Sequence, residues 1–430
     1  MKGIMKAVEL FLVLGLVFPF PSFGEEILEE PTGLLSLDRA ISLALTKNPE
    51  LEAFSLEIRV REARALQAGL LPNPDLDVEV EDAGGSGKFS GFQRTQTTIQ
   101  LSQLIELGAK RARRARAASL TKELATWDYE SKRVDVLTQV TQAFTDVLGA
   151  QQKLNLMRNL VALAERFRFT VSERVKVGKV SPIEGIKAKV ALSSTLIELE
   201  RAKRKLKVTR KILAAAWGST IPRFKAVKGN LYSIAPIPSK EDLFQRIFDN
   251  PDLARWSTEI AQRQAVVDRE KSKAIPSITL AGGYRRLEES NDNSIVFGIS
   301  VPLMIFNRNQ GSIQGSLHEL SKAESNRRRA EILVTAALSE AYQALAVSHA
   351  EVISLKSQIL PGAQQAFDSI NEGYRVGKFG FLDVLDSQRT LFQAKAQFLD
   401  ALTTYHKAVA GVERLAGGSL NTGLLNKGTK

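Results

Sequence analysis

The chain has 430 residues, contains no cysteine and carries a formal net charge of +12. Without cysteine, this sequence can form no disulfide, thiolate metal site or cysteine nucleophile, so its stability has to come from packing and assembly. The basic residues are mostly spread among acids along helical segments. This pattern favours a solvated or membrane-proximal face over a nucleic-acid-binding surface, so we expect no nucleic-acid partner.

Residues 1–24 have the composition of a secretory signal peptide. Lys2 and Lys6 precede an apolar run at 11–20, and small residues follow it. A run of this length is too short to cross a hydrocarbon core of about 30 Å, so a membrane anchor is disfavoured. No later segment has 18 uninterrupted apolar residues. The sequence therefore predicts that any membrane crossing is made by strands.

The two halves of the chain repeat the same motifs in the same order. The sequence NPEL at 48–51 recurs as NPDL at 250–253, which is 202 residues later. The sequence VGK at 177–179 recurs after 199 residues, and Gly218 is matched by Gly417. A period near 200 residues is far too long for a solenoid repeat. We interpret the chain as two copies of a domain-sized unit.

Each unit is predicted to contain helices, two strands, a long coiled-coil-like helix, a turn and a return helix. The first long helix would span roughly 107 Å, and its return helix only about half of that, so a second short helix is expected to stack end to end with the return helix. The first repeat is expected at 25–218, with strands 75–82 and 95–104, long helix 107–177 and return helix 183–217. A linker is expected at 219–238. The second repeat is expected at 239–417, with strands 277–286 and 294–303, long helix 309–376 and return helix 381–415, and a C-terminal tail follows at 418–430.

The four predicted strands alternate polar and apolar residues, most regularly in the first. Such alternation predicts a sheet with one wet face and one apolar face. Periodicity alone favours a soluble sheet packed on helices, and the signal peptide reverses that preference. Four strands cannot close a membrane barrel, which needs about eight, whereas three chains would supply twelve. Leu76, Val78 and Val80 would then face lipid, and a water-filled lumen would be lined by Asp75, Asp77, Glu79 and Glu81.

No motif for catalysis or metal binding stands out. His318, His349 and His406 are far apart in sequence and lack metal-ligand spacing. There is no phosphate-binding glycine loop and no nucleophile elbow. We therefore expect no enzymatic activity, no cofactor and no metal site. The alternative to a channel is a periplasmic adaptor with a coiled-coil hairpin, which would explain the signal peptide and the helices but not the duplication or the four strands.

With these features, the chain resembles the TolC-like outer-membrane efflux proteins over residues 37–417. The resemblance is carried by LPNP at 71–74 before the acidic strand, and by YRVG at 374–377 followed by DVLD at 383–386. The segments most similar to the subgroup that serves heavy-metal cation pumps are 48–51, 79–85 and 106–111.

The resemblance implies a mainly α-helical chain with a small β part, in a homotrimer with a 12-stranded β-barrel in the outer membrane and an α-helical barrel in the periplasm. It implies a passive efflux duct that works with a periplasmic adaptor protein and an inner-membrane pump of the RND type, surrounded at its barrel by outer-membrane lipid. Many members of the metal subgroup carry a lipidated cysteine at the mature N-terminus. This sequence has none, so membrane attachment is expected to rest on the barrel.

The resemblance also implies that the helix tips close the duct and contact the adaptor. Asp383 and Asp386 match aspartates that ring the aperture, and residues three apart share one helix face. The alternative is that both are helix-start residues stabilised by the helix dipole. Glu184 and Lys187 occupy the matching positions of the first unit, so only the second tip is expected to be a gate. The residues expected at the tip turns and the adaptor contact are Arg174, Val177, Gly178, Tyr374, Val376 and Gly377.

Overall fold

The computed structural model describes residue 30 and residues 32–418. The expected signal peptide at 1–24 lies outside the described residues, as does the expected tail beyond Gly418. Within the described part, the chain is mainly α-helical with a small β part. The helices are α1 (Leu37–Lys47), α2 (Pro49–Ala68), α3 (Lys110–Lys176), α4 (Pro182–Ala215), α5 (Lys240–Arg246), α6 (Pro251–Lys273), α7 (Gln310–Ser354), α8 (Leu360–Arg375) and α9 (Phe381–Ala416). The strands are β1 (Leu34–Ser36), β2 (Asp75–Glu81), β3 (Gln96–Ile105), β4 (Ala226–Lys228), β5 (Ile278–Leu287) and β6 (Asp292–Ser300).

Helix α3 is the rod against which much of the chain packs. Its 67 residues span about 100 Å at 1.5 Å per residue, and it contacts α1, α2, α4, α6 and α9. It begins at Lys110 rather than at the expected Leu107, because Gly108 and Ala109 have φ angles of 69° and 55°. Residues in this left-handed region do not continue a right-handed helix. They form the turn that leads from β3 into α3.

The second long helix contains a local distortion that the sequence pattern does not predict. The sequence predicts a regular helix over 309–376, whereas the structure has a π-helical turn at Leu355–Ile359 between α7 and α8. Pro361 follows that turn. Proline has no N–H to donate, and its ring clashes with the carbonyl group four residues earlier in a regular helix. The wider π turn accommodates this position.

The run formed by α7 and α8, Gln310–Arg375, is apolar enough over one 18-residue window to cross a membrane by composition alone. Its mean hydropathy in that window is 1.2. The 66 residues of the run would extend about 99 Å, which is roughly three times the thickness of a hydrocarbon core. The run also packs along α6 and α9. We interpret it as a helix of the bundle.

The repeated Asn-Pro motif joins short helices end to end. Asn48 caps the start of α2, and its Nδ2 donates to Ala216 O at the end of α4, at 2.8 Å. Asn250 caps the start of α6 in the same way, and its Nδ2 donates to Arg414 O and Leu415 O of α9, at 3.2 and 3.0 Å. Both halves therefore have the stacked pair that the helix lengths predict, α2 with α4 and α6 with α9.

A glycine follows each return helix at these joints. Gly218 and Gly417 have φ angles of 77° and 70°, which favour glycine. A Cβ on Gly218 would lie 3.2 Å from Pro49 Cγ, and one on Gly417 would lie 3.0 Å from Asp249 C. The two glycines that match in sequence thus have the same local role.

The segment expected as a linker, 219–238, is a packed part of the core. Strand β4 within it pairs in parallel with β1, and the side chains of Phe224 and Leu231 are buried. The side-chain amide of Gln151 in α3 makes two hydrogen bonds to the backbone of Val227. Its Nε2 donates to Val227 O at 3.0 Å, and its Oε1 accepts from Val227 N at 2.7 Å. The main apolar cluster surrounds this segment and the helix joints.

The other four strands form one antiparallel sheet in the order β2-β3-β5-β6. Two hairpins, β2-β3 and β5-β6, meet along β3 and β5. Within the described chain, β2 and β6 each have one edge without a partner strand. The sheet therefore ends on both sides in unpaired backbone groups.

Replacing Asn250 with alanine is expected to destabilise the fold by about 1–3 kcal/mol, because α6 loses its N-cap and the end of α9 loses its donor. Thermal unfolding of the purified protein, followed by circular dichroism, measures this loss. Asn159→Ala changes an exposed asparagine within α3 and is the matched control, expected to unfold with the wild type. Identical unfolding of Asn250→Ala and wild type would contradict the role assigned to this joint.

Candidate functional site

The two helix hairpins end in matching tight turns. Gly178 and Gly377 have φ angles of 71° and 82°, and no atom lies within 4 Å of the position that a Cβ would take. The positive φ, rather than lack of space, therefore selects glycine. Lys179 N donates to Arg174 O at 2.9 Å, and the equivalent bond at the second tip is 2.8 Å long. These bonds satisfy carbonyl groups at the helix ends, as in a Schellman motif.

A cation–π contact joins the two tips. The guanidinium carbon of Arg174 lies 4.3 Å from the centroid of the Tyr374 ring, a contact worth about 0.5–2 kcal/mol. Tyr374 is only 4% exposed and packs against Phe381 with ring centroids 6.4 Å apart. In this chain the side chain of Tyr374 is thus a core residue of the tips and not a surface for a partner. Val177 and Val376, by contrast, are 66% and 64% exposed.

Asp383 and Asp386 lie in the first two turns of α9, and both are exposed. Asp383 Oδ2 accepts a hydrogen bond from Gly380 N at 2.9 Å, so this carboxylate also caps the helix, as the helix-start interpretation requires. Asp386 makes no hydrogen bond or ion pair to any residue that the structure describes. It lines a groove between α3, α4 and α9. Capping therefore accounts for Asp383 but not for Asp386.

The four strand acids share one face of the sheet. The strand register places Asp77 opposite Gln100, and Ser102 Oγ donates to Asp77 Oδ2 at 3.4 Å. Glu81 Oε2 lies 3.7 Å from Arg285 Nη2 of β5. The remaining two acids, Asp75 and Glu79, follow the same alternation of β2.

The opposite face of the sheet is apolar and open. Val78 on β2 is 61% exposed and Phe297 on β6 is 82% exposed. The strand registers bring the same type of residue onto this face in all four strands. The exposed apolar residues of this face include Leu76, Val78, Val80, Ile99, Leu101, Leu280, Tyr284, Ile295, Phe297 and Ile299.

The histidines lie on helices α7 and α9 and contact nearby polar or aromatic groups. His318 Nε2 lies 3.0 Å from Gln314 Nε2 on the same helix. His406 is fully buried, its Nε2 lies 2.9 Å from Leu231 O, and burial lowers the pKa of its ring below the ordinary value. Within residues 30 and 32–418, there is no group of three or more His, Cys, Asp or Glu side chains arranged to hold a metal ion.

Comparison with known proteins identifies the architecture. The family described as outer membrane efflux protein matches residues 40–219 and 246–418. The cobalt-zinc-cadmium resistance protein CzcC of Cupriavidus metallidurans is 36% identical over 421 residues, which cover 95% of this chain and 99% of that protein. The nickel-cobalt-cadmium resistance protein NccC of Alcaligenes xylosoxydans xylosoxydans is 23% identical over 71% of this chain and 70% of its own length.

Solved structures agree in fold at lower identity. CusC superposes with a TM-score of 0.76 at 15% identity, covering 89% of this chain and 92% of that chain. The Campylobacter jejuni CmeC outer membrane channel superposes with a TM-score of 0.74 at 17% identity, covering 89% of this chain and 85% of that chain. The chain therefore belongs to the outer membrane efflux protein family, whose members are export channels of the outer membrane and not enzymes.

Proposed function

We propose that three copies of this chain form one closed duct that crosses the outer membrane and the periplasm and exports heavy-metal cations. The observation that carries the proposal is the sheet β2-β3-β5-β6, which has one open apolar face and two unpaired edges. Unpaired backbone groups are not tolerated in hydrocarbon. Pairing β6 of one copy with β2 of the next removes all edges and gives a barrel of twelve strands.

The helices support the same assembly. Helix α4 carries a stripe of exposed apolar residues. The first four, at 183, 186, 190 and 197, follow the spacings of three, four and seven that are typical of a coiled-coil seam. Nothing in the described chain covers this stripe, and a neighbouring copy would bury it. Its members are Ile183, Ile186, Val190, Ile197, Val208 and Ile212.

The cargo and the partners are inferred from relatives and from the tips. CzcC and NccC are named for resistance to cobalt, zinc, nickel and cadmium, which supports a divalent cation as cargo here. A passive duct needs an energised pump, so we infer a tripartite assembly with an inner-membrane pump of the RND type and a periplasmic adaptor. The exposed Val177 and Val376 at the tip turns provide apolar surface for that adaptor.

The purified protein in detergent is expected to be a trimer by light scattering corrected for detergent. Val190→Asp places a charge in the exposed stripe of α4 and is expected to weaken the trimer. Lys189→Asp places the same residue at the adjacent exposed position and is expected to leave it intact. A monomer or dimer of the unaltered protein would contradict the closed barrel.

Charge on the apolar face of β2 is expected to be more damaging than charge on its acidic face. Val78→Arg should impair membrane insertion by roughly 2–4 kcal/mol if the residue lies near the bilayer midplane. Asp77→Arg introduces the same side chain toward the proposed lumen and should insert normally. The fraction of chain recovered as outer-membrane trimer measures both effects. Equal losses for the two variants would mean that β2 is not in contact with lipid.

The paired aspartates at the second tip are expected to bind and select cations. Six carboxylates gathered around one axis would favour cations and hold multivalent ones, which then block the pore. Asp383→Asn with Asp386→Asn removes the charge while keeping an oxygen that can accept from Gly380 N. We expect higher resting conductance, lower cation preference, and block by zinc or cobalt weakened on the order of tenfold, which corresponds to about 1.4 kcal/mol.

Planar-bilayer recordings measure all three quantities. Asp368→Asn, which changes an exposed aspartate of α8, is the matched control and should conduct like the wild type. Unchanged selectivity together with unchanged block in the double variant would reduce Asp383 and Asp386 to helix-start residues.

A further inference from the structure

A small pocket between α2, α3 and α6 is lined by four arginines. Its volume is about 210 Å³, and its lining includes Arg61 and Arg64 of α2, Arg114 of α3 and Arg269 of α6. None of the residues that line it is acidic. Four like charges around one cavity repel each other, and an anion placed among them relieves that repulsion.

One of the four arginines is a fixed charge. Arg114 Nε donates to Ala68 O at 2.7 Å, and its Nη1 donates to Glu106 Oε1 at 2.6 Å. Its Nη2 donates to Leu70 O and Glu106 Oε2, both at 3.1 Å. All three nitrogens of Arg114 are therefore engaged. It contributes positive charge to the pocket but offers little further hydrogen bonding.

The other three arginines keep donors free. Arg61 uses only Nε, on Glu57 at 2.5 Å, which leaves both terminal nitrogens. Arg269 uses Nε and Nη2 on Glu270, at 3.0 and 2.8 Å, which leaves Nη1. Arg64 makes no hydrogen bond or ion pair within the part of the chain that the structure describes. Donors from two helices thus remain for a ligand.

The carboxylates that pair with the lining arginines do not balance the charge of these groups. Glu57, Glu106 and Glu270 are the carboxylates that pair with the lining arginines, and Glu270 is shared with Lys273 at 2.9 Å. Burial opposes the ionisation of Glu270, but hydrogen bonds from Lys273, Asn309 and Arg269 prevail and lower its pKa to about 2. Five cations therefore meet three carboxylates, which leaves two positive charges in excess.

The pocket lies where the helices lead into the sheet. Arg64 is four residues from the end of α2, and Arg114 is four residues from the start of α3, which is about 6 Å along each helix axis. The short segments 69–74 and 106–109 then connect these helices to β2 and β3. The pocket is thus within reach of the boundary where the open apolar face of the sheet begins.

We propose that this four-arginine pocket binds a phosphate group. The planar guanidinium matches the oxygens of phosphate in a bidentate fork, which a lysine cannot do. The cavity is smaller than the roughly 300–1,000 Å³ that drug-sized ligands occupy, so it accommodates a headgroup or a free ion rather than a whole lipid. The phosphate comes from a phospholipid headgroup at the periplasmic surface of the membrane or from the free ion. This inference is independent of the exported cargo.

The test titrates the full-length protein, in a nonionic phosphate-free detergent, with inorganic phosphate and separately with dihexanoyl phosphatidylglycerol. Isothermal titration is expected to give saturable binding of one phosphate per chain. Arg64→Gln, which breaks no hydrogen bond or ion pair in the described chain, should weaken binding at least tenfold, and Arg61→Gln with Arg64→Gln should abolish it. Arg59→Gln, at an exposed position of α2 outside the pocket, is the matched control and should bind like the wild type.

The ranking of the two probes assigns the source of the phosphate. Tighter binding of the lipid than of inorganic phosphate supports a headgroup site, and comparable binding supports a site for the free ion. Absence of saturable binding of both probes, or unchanged affinity in Arg64→Gln, would overturn the proposal. Thermal unfolding of Arg64→Gln should match the wild type, which separates loss of the site from loss of the fold.

Discussion

The unpaired strand edge is the constraint on which the rest of this structure depends. In hydrocarbon, a backbone group without a partner costs several kcal/mol, and no water is present to replace the missing bond. The sheet β2-β3-β5-β6 has two such edges and one open apolar face. The proposed closure with identical neighbours would pair both edges and would set the helices of each copy in a ring beneath the sheet. The periplasmic adaptor considered as the alternative is wrong, because the chain belongs to the channel family.

The helix joints let pairs of short helices cover the length of the long helices. Helix α3 spans about 100 Å, and the return helix beside it is too short to follow it. Asn48 and Asn250 each join a short helix to the end of a return helix. The side-chain amide of each residue caps the start of one helix and donates to a carbonyl group at the end of the other. Each joint interrupts a rod, and the main apolar cluster lies around these joints. Each stacked pair of helices is thus stabilised at its joint, where the helical backbone is interrupted.

Periodic patterns that extend over whole strands and helices predict this architecture. The features that they do not predict depend on local chemistry and tertiary contacts. The alternation in β2 indicates a strand with one apolar face, and the spacing of apolar residues along α3 indicates a long helix with one buried side. The π turn before Pro361 and the burial of 219–238 depend on tertiary contacts such as that of Gln151 with Val227, which no periodicity reports. Among the candidate site residues, the sequence places Gly178 and Gly377 at the tip turns and Asp383 and Asp386 at the start of the return helix, where the structure has them, and the gate role of the aspartates stays a prediction. It misses that Tyr374 is buried, since the aromatic ring has a partner, Arg174, some 200 residues away.

The tips differ from the joints in how firmly they are held. The joints combine caps, close glycine contacts and the main core, whereas the tips have a small apolar cluster around Tyr374 and Phe381 and one cation–π contact from Arg174. That contact is worth about 0.5–2 kcal/mol, a small amount next to the burial of the main core. Regions with few buried contacts open first. Separation of the two tips would break this contact and expose the buried rings of Tyr374 and Phe381, whereas the main core around the joints belongs to a different apolar cluster. In the proposed trimer, such a separation would change the spacing of Asp383 and Asp386 around the common axis.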